Sequence, residues 1–257
     1  MHLGLNIDHI AALREARKIN DPNPLEAVFI AKNSGVHQIT LHLREDRRHI
    51  CDDDVCMILK ASPLPVNVEC ACDEQIIDFL CKEKPFKITL VPEKRQEITT
   101  EGGLNLKQRN LKEIIAIFHK HEIQTSLFID ANIENILLSK DLGVDGIELH
   151  TGEYANLYAM LYSNLSRHRN SIKALEQSRK ELNERLKKSL EELKKCVSLS
   201  QKEKLKVFAG HGLNYANVVE IAKIHGIEEL NIGQSIIAKA VFVGLQRAIQ
   251  DMLELLV

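Results

Sequence analysis

Apolar residues recur along the chain with two periods. Short β-rich runs of three to five residues alternate with longer stretches whose apolar positions fall at i, i+3 and i+4. The short runs cover 3–7, 38–42, 66–69, 88–91, 125–129, 146–150, 207–209 and 229–232. The helical stretches cover 24–33, 73–82, 111–121, 132–140, 215–224 and 236–256, and Ser34-Gly35 and Leu142-Gly143 act as stop signals. Buried strands alternating with helices require right-handed crossovers and hence a parallel sheet. Eight such units in 257 residues predict an α/β chain closed into a (β/α)8 TIM barrel rather than an open doubly wound sheet.

One connection breaks the rhythm. Between the sixth strand and the seventh, a charged stretch at about 154–204 carries Ile172, Leu175, Leu182, Leu186, Leu190, Leu193 and Val197 as a narrow apolar seam. It reads either as an elongated helix lying on the barrel wall or as one protruding toward a partner. The expectation is one barrel domain spanning 1–257 with a helical extension at this point.

Composition narrows the class. Apolar residues make up 44% and charged residues 27%, enough for a large core, and a formal net charge of -2 gives no basic field for a nucleic-acid partner. No run approaches the ~20 apolar residues needed to span a membrane. The six cysteines match no zinc spacing, and Cys70 and Cys72 read as small core residues. With the first strand starting at residue 3, no targeting segment is expected, and reduced thiols point to the cytoplasm.

Barrel enzymes place their chemistry in the loops after the strands. Those positions hold Asn6, Asp8 and His9, then His42, Arg44, Arg47, Arg48 and His49. Glu69 ends the third strand, while Glu93, Lys94 and Arg95 follow the fourth and Asp130 the fifth. Glu148 and His150 share the sixth, and Gly210-His211-Gly212 and Asn231-Ile-Gly233 end the last two. Charged groups on one rim are costly unless they are paired or used. The glycine turns after strands seven and eight, with Thr99-Thr-Glu-Gly-Gly103, suit phosphate binding by backbone N–H groups.

His42 reads as a general acid/base in the company of Arg44, His49 and Glu69, or as a satisfied strand-end histidine. Glu69, among apolar and cysteine neighbours, is expected to hold its proton tightly, or else to pair with an arginine. His9, His42, His150 and His211 with Asp8 and Glu148 compose an alternative metal site, which the arginines on the same rim disfavour. Lys87 and Lys206 sit at strand entrances, and Lys94 is the only lysine on the active rim, so an imine would take its nitrogen from the substrate. A metal-dependent hydrolase and a non-catalytic phosphosugar-binding barrel remain open alternatives.

Several segments carry a more specific likeness. Asn6-Ile-Asp-His-Ile10, His42-Leu-Arg-Glu-Asp-Arg-Arg-His-Ile50, Val91-Pro-Glu-Lys-Arg-Gln-Glu97, Ser126-Leu-Phe-Ile-Asp130, His150-Thr-Gly152, Ala209-Gly-His-Gly-Leu213 and Glu229-Leu-Asn-Ile-Gly233 resemble the pyridoxine 5'-phosphate synthases of vitamin B6 biosynthesis. The resemblance implies condensation of 3-amino-2-oxopropyl phosphate with 1-deoxy-D-xylulose 5-phosphate, giving pyridoxine 5'-phosphate, inorganic phosphate and water. It implies a homo-octamer and neither a metal nor an organic cofactor. By matching motif, His42 and Glu69 become proton acceptors, His211 a proton donor and Glu148 a transition-state stabiliser. Asn6, Arg17, Gly212, Gly233 and Gln234 would hold the aminoketone phosphate, and Asp8, His9, Arg44, His49 and Thr99 the deoxyxylulose phosphate. The family pattern ends Asn-Ile-Gly-His where this chain has Gln234, which donates a hydrogen bond but carries no proton.

Overall fold

The computed structural model describes residues 1–93 and 102–256. Eight parallel strands close on themselves in chain order: β1 (His2–Asn6), β2 (Gln38–His42), β3 (Val66–Cys70), β4 (Lys87–Leu90), β5 (Gln124–Asp130), β6 (Gly146–His150), β7 (Lys206–Gly210) and β8 (Glu229–Ile232). β1 pairs with both β2 and β8, which seals the barrel. The helices are α1 (Asp8–Glu15), α2 (Pro24–Ser34), α3 (Asp52–Ala61), α4 (Glu74–Glu83), α5 (Leu111–Lys120), α6 (Ile133–Leu142), α7 (Gly152–Tyr162), α8 (Arg179–Lys202), α9 (Val218–Ala222), α10 (Gln234–Val243) and α11 (Leu245–Leu253). The barrel is the one expected from the hydrophobic pattern.

Local chemistry fixes the helix ends. Side chains of Asn23, Asp73 and Asn132 accept from the N–H groups of Leu25, Ile76 and Asn135, satisfying donors that a helix start leaves orphaned. Gly35 and Gly143 close α2 and α6 at φ 93° and 82°, a left-handed conformation cheap only for glycine. The stretch expected as one helix over 236–256 is two, because Gly244 sits at φ 83° and ψ 152° and breaks it.

The strands divide their side chains by parity. Leu3, Leu5, Ile39, Leu41, Val68, Ile88, Leu90, Leu127, Ile147, Leu149, Val207 and Leu230 are fully buried between sheet and helices, in one core with residues such as Val28, Ile58, Ile76 and Phe118. The alternate positions face the lumen and are mostly polar. Gln38 and Lys87 both donate to Glu229 Oε1, at 2.7 and 3.2 Å, and Lys87 Nζ lies 3.7 Å from the centre of the Phe208 ring. Above them Thr40 donates to Asn231 Oδ1 at 2.9 Å, and Asn231 donates to Glu148 Oε2 at 2.7 Å. Lys87 does sit at a strand entrance, as expected, but inside the barrel rather than in solvent.

The long connection is a helical pair that leans on the barrel. α7 and α8 pack on each other, with Leu157, Met160, Leu161, Leu175 and Leu182 forming a small second core. Leu193, Cys196 and Val197, near the end of α8, join the main core. α8 opens on a reciprocal cap in which Ser178 and Glu181 satisfy each other's backbone N–H. No helix among the described residues is long and apolar enough to cross a membrane.

Candidate active site

The carboxyl ends of β1 to β3 assemble the first cluster. His42 and Glu69 are register partners on neighbouring strands. Asp8 starts α1 and accepts the His42 backbone N–H at 2.8 Å through Oδ1, while Asn6 Nδ2 donates to its Oδ2 at 2.8 Å. One side-chain ligand atom each from Asp8, His42 and Glu69 lies within 4.8 Å of the others. That spacing would suit a cation, but Asp8 is already committed to two donors and Glu69 is set up to keep a proton, so the donor set favours proton transfer.

Glu93, on the loop that follows β4, completes this corner. Its Oε1 lies 2.8 Å from His42 Nε2, and its Oε2 accepts the Glu45 N–H at 3.2 Å and lies 3.8 Å from Arg44. Burial opposes the Glu93 charge, but the bond from His42, the Glu45 N–H and the charge of Arg44 outweigh it and hold the carboxyl below its ordinary range. A carboxylate only accepts, so Nε2 of His42 carries the proton and Nδ1 is left as the basic nitrogen.

Two carboxyls have the opposite character, Glu69 at the mouth and Glu148 deeper in the lumen. Burial pushes Glu148 up to about 7; Glu229 adds to this, while Lys87 and Asn231 oppose it. Glu69 keeps some access to solvent at the mouth, yet enclosure by the barrel wall, then Glu148 and Asp8, raise it well above the usual carboxylate value against the pull of Lys87. Two like charges in one low-dielectric space resist joint ionisation, so the pair retains a proton near neutrality. Gly210 makes room for this, since any Cβ there would collide with Glu148 Oε1.

The loop after β2 is fastened from beneath. Arg14 on α1 forms a two-pronged pair with Asp54 at 2.6 and 2.8 Å, and donates to the His49 carbonyl at 2.9 Å. His49 Nδ1 accepts the Ile50 N–H at 2.8 Å, and burial chiefly lowers its pKa. Its ring centre lies 6.2 Å from that of His42.

Across the mouth, the turn after β7 holds His211 at φ 78° and Gly212 at φ 83°. His211 is pushed down to about 4, mainly by burial and then by His150, so it is neutral near physiological pH. The Asn217 side chain donates to the Gly212 carbonyl at 3.1 Å. Gly233 packs directly on Asn6, where a Cβ would lie 2.8 Å from it. α10 starts at the next residue with no side-chain cap, leaving N–H donors of the kind that bind phosphate.

A family model described as pyridoxal phosphate biosynthesis protein PdxJ matches residues 3–257. The chain belongs to this PdxJ family. A pyridoxine 5'-phosphate synthase of Aliarcobacter butzleri is 59% identical over 258 residues, covering 100% of this chain and 99% of that protein. A namesake from Helicobacter hepaticus is 55% identical, covering 99% of this chain and 97% of its own length. Among solved structures, 3-hexulose-6-phosphate synthase superposes with a TM-score of 0.61 at 12% identity, covering 100% of both chains. The N-(5'-phosphoribosyl)anthranilate isomerase of Pyrococcus furiosus gives 0.55 at 15% identity, covering 99% and 98%. At such identities these two speak for the barrel alone.

Within this PdxJ-family chain, Asn6, Asp8, His42 and Glu69 lie together, with Glu148 deeper in the same lumen and Arg44 and His49 on the adjoining loop. His211 and Gly212 form the opposing turn, and Gly233 closes onto Asn6. His9, Arg17 and Gln234 are exposed, and no side-chain hydrogen bond joins them to the cluster among the described residues. Thr99 and Lys94 lie outside the described residues. The sequence reading gave Glu93 and Asp130 no role beyond their places on the rim, although Asp130 ends β5 and Glu93 lies on the loop after β4. It also missed the role of Asn231, which is signalled only by its lumen-facing parity.

Proposed function

We propose that the chain is a pyridoxine 5'-phosphate synthase, condensing 3-amino-2-oxopropyl phosphate with 1-deoxy-D-xylulose 5-phosphate to release pyridoxine 5'-phosphate, phosphate and water. The family and the names of its relatives support the reaction, and the lumen supports the chemistry. The observation that carries the reading is the trio of His42, Glu69 and Glu148. It places one imidazole held by a carboxylate beside two carboxyls that retain a proton near neutrality.

Imine formation, loss of phosphate and ring closure each move protons at adjacent carbon, nitrogen and oxygen atoms. His42 takes protons through Nδ1, Glu69 takes one back after giving up the proton it holds, Glu148 stabilises developing positive charge, and His211 returns a proton to a departing oxygen. The substrate amine supplies the imine nitrogen, so no lysine is called upon. Gly212, Gly233, Gln234, Asn6 and Arg17 hold the aminoketone phosphate, while Asp8, His9, Arg44, His49 and Thr99 hold the sugar phosphate. The reaction proceeds without a resident metal or organic cofactor.

Mixing the purified chain with both substrates tests the assignment. Pyridoxine 5'-phosphate and phosphate should appear in equal amounts, and a folded sample that makes neither overturns it. We also propose a cytoplasmic homo-octamer. Val241 and Phe242 at the end of α10 are 72% and 87% exposed, a surface that self-association would cover. Light scattering at assay concentration reads the mass directly.

A further inference from the structure

Glu93 carries none of the roles that the family likeness distributes, yet it is the only hydrogen-bond partner of the His42 ring among the described residues. The two side chains are nearly enclosed, at 10% and 4% exposure for His42 and Glu93, and Oε1 stands 2.8 Å from Nε2. The backbones behind them are pinned as well. The His42 N–H reaches Asp8 Oδ1 at 2.8 Å, and the Leu43 N–H reaches the Glu69 carbonyl at 2.9 Å. On the other side, the Val91 N–H reaches the Cys70 carbonyl at 2.9 Å. Pairing to β3 thus continues past the ends of β2 and β4, and imidazole and carboxylate are presented to each other from fixed frames.

The carboxylate has two sides, and each meets donors. Oε1 faces the His42 ring N–H, while Oε2 accepts the Glu45 N–H at 3.2 Å and lies 3.8 Å from Arg44 Nη2. Only a carboxylate satisfies both sides, because each of its oxygens accepts. An amide of the same shape has one accepting oxygen, and its NH2 must then confront a donor on the other side. The Arg44 side offers a full positive charge and a backbone N–H, so the amide oxygen would settle there and the NH2 would face His42. Nε2 would then have to accept, and the ring proton would move to Nδ1.

We propose that Glu93 is the positioning residue for the reaction's base: as a carboxylate, and only as one, it keeps the His42 proton on Nε2 and leaves Nδ1 to take protons. This deepens the synthase reading and rests on His42 as a proton acceptor within it. In the accepting step an N–H bond forms at Nδ1 while the bond from that hydrogen to a substrate carbon or nitrogen breaks, its electron pair staying on the substrate. His42 becomes an imidazolium with its Nε2–H still on Glu93, whose negative charge lies against the new positive one. Glu93 itself neither gains nor loses a proton. Asp8, Glu69, His49 and Arg44 are the other ionisable groups around the ring. A ring nitrogen lies within 4.8 Å of carboxylate oxygens of Asp8 and Glu69, and the His49 ring centre is 6.2 Å away. None of the four bonds to the ring among the described residues, so the tautomer depends on Glu93.

Two variants of the full chain test this. Glu93→Gln should lower kcat about a hundredfold or more, as expected when a base is left in the wrong tautomer. KM for either substrate should stay within about threefold, because Arg44 keeps Asp46 at 3.5 Å and the β2 loop keeps its shape. Glu93→Asp retains two accepting oxygens, and its kcat should stand about tenfold or more above that of the glutamine variant. Nitrogen NMR of the labelled chains reads the cause directly: neutral His42 should carry its proton on Nε2 in the wild type and in Glu93→Asp, and on Nδ1 in Glu93→Gln. A wild-type proton on Nδ1 overturns the proposal without any variant. So does a glutamine variant with unchanged kcat, or with raised KM alone. An aspartate variant as slow as the glutamine one, with its proton still on Nε2, overturns it too, since the loss would then be structural. A wild-type chain that makes no product overturns the synthase reading, and the NMR result still decides whether Glu93 sets the His42 proton.

Discussion

Replacing Lys87 with methionine asks how much of the barrel's stability depends on compensating one buried carboxylate. Lys87 and Glu229 are 3% and 6% exposed, their charged atoms are 3.2 Å apart, and the ammonium also sits 3.7 Å above the Phe208 ring. Methionine fills a similar volume but leaves Glu229 with the Gln38 amide as its one side-chain donor among the described residues. Removing one partner of a buried pair costs about 3–5 kcal/mol, since the remaining charge keeps its desolvation penalty. Lys87→Met with Glu229→Gln removes the charge as well, and should lie within about 2 kcal/mol of the wild type. The single variant should therefore fall well below both the wild type and the double variant. Urea denaturation at pH 8 and pH 5.5 measures all of this, with equal m-values as the check on two-state behaviour. If single and double variants fall by the same amount at both pH values, the pair's charge is not what matters and the reasoning fails.

Three further outcomes follow from the same geometry. Glu148 is pushed up to about 7; its folded pKa lies above the unfolded one, so its contribution is complete below about 4.5 and about 3 kcal/mol is lost as pH rises through 7, a loss that Glu148→Gln should remove from the stability–pH curve. Arg14→Met should cost about 3–5 kcal/mol by stranding Asp54, and should raise KM for the sugar phosphate more than for the aminoketone, because the His49 backbone loses its anchor; equal KM changes would separate the clamp from His49. Gly210→Ala should drive a methyl group into Glu148 Oε1 and lower kcat about tenfold or more with the fold retained by circular dichroism, whereas wild-type kcat would show that the carboxyl moves aside freely.

The parity of apolar residues made the barrel legible, since Leu3 and Leu5 or Ile39 and Leu41 bury on one side of their strands whatever the other side does. Motif spacing led to His42, Arg44, His49, Glu69 and His211, because each follows a strand in a short, distinctive segment. The partners were harder to read. Glu93 meets His42 across 51 positions and Asn231 meets Thr40 across 191, and only closure of the sheet brings such residues together. Lys87 was legible only as a lysine at a strand entrance, because nothing local reveals that Glu229 waits inside. The single helix expected over 236–256 failed for a local reason instead: apolar periodicity continues across Gly244 while its backbone does not.

The polar filling of the lumen has a consequence for where variation can act. Where branched aliphatic side chains plug a barrel, a substitution at the far end reaches the working end only through packing. Here Lys87 and Glu229, at the closed end, bear directly on the ionisation of Glu148, and Lys87 also on Glu69. Cohesion is left to the aliphatic layer between sheet and helices, so the inner wall is free to behave as one titrating unit. Remoteness from the mouth is therefore no sign of catalytic indifference. A neutral substitution at residue 87 or 229 would retune the reaction's pH optimum without touching a substrate.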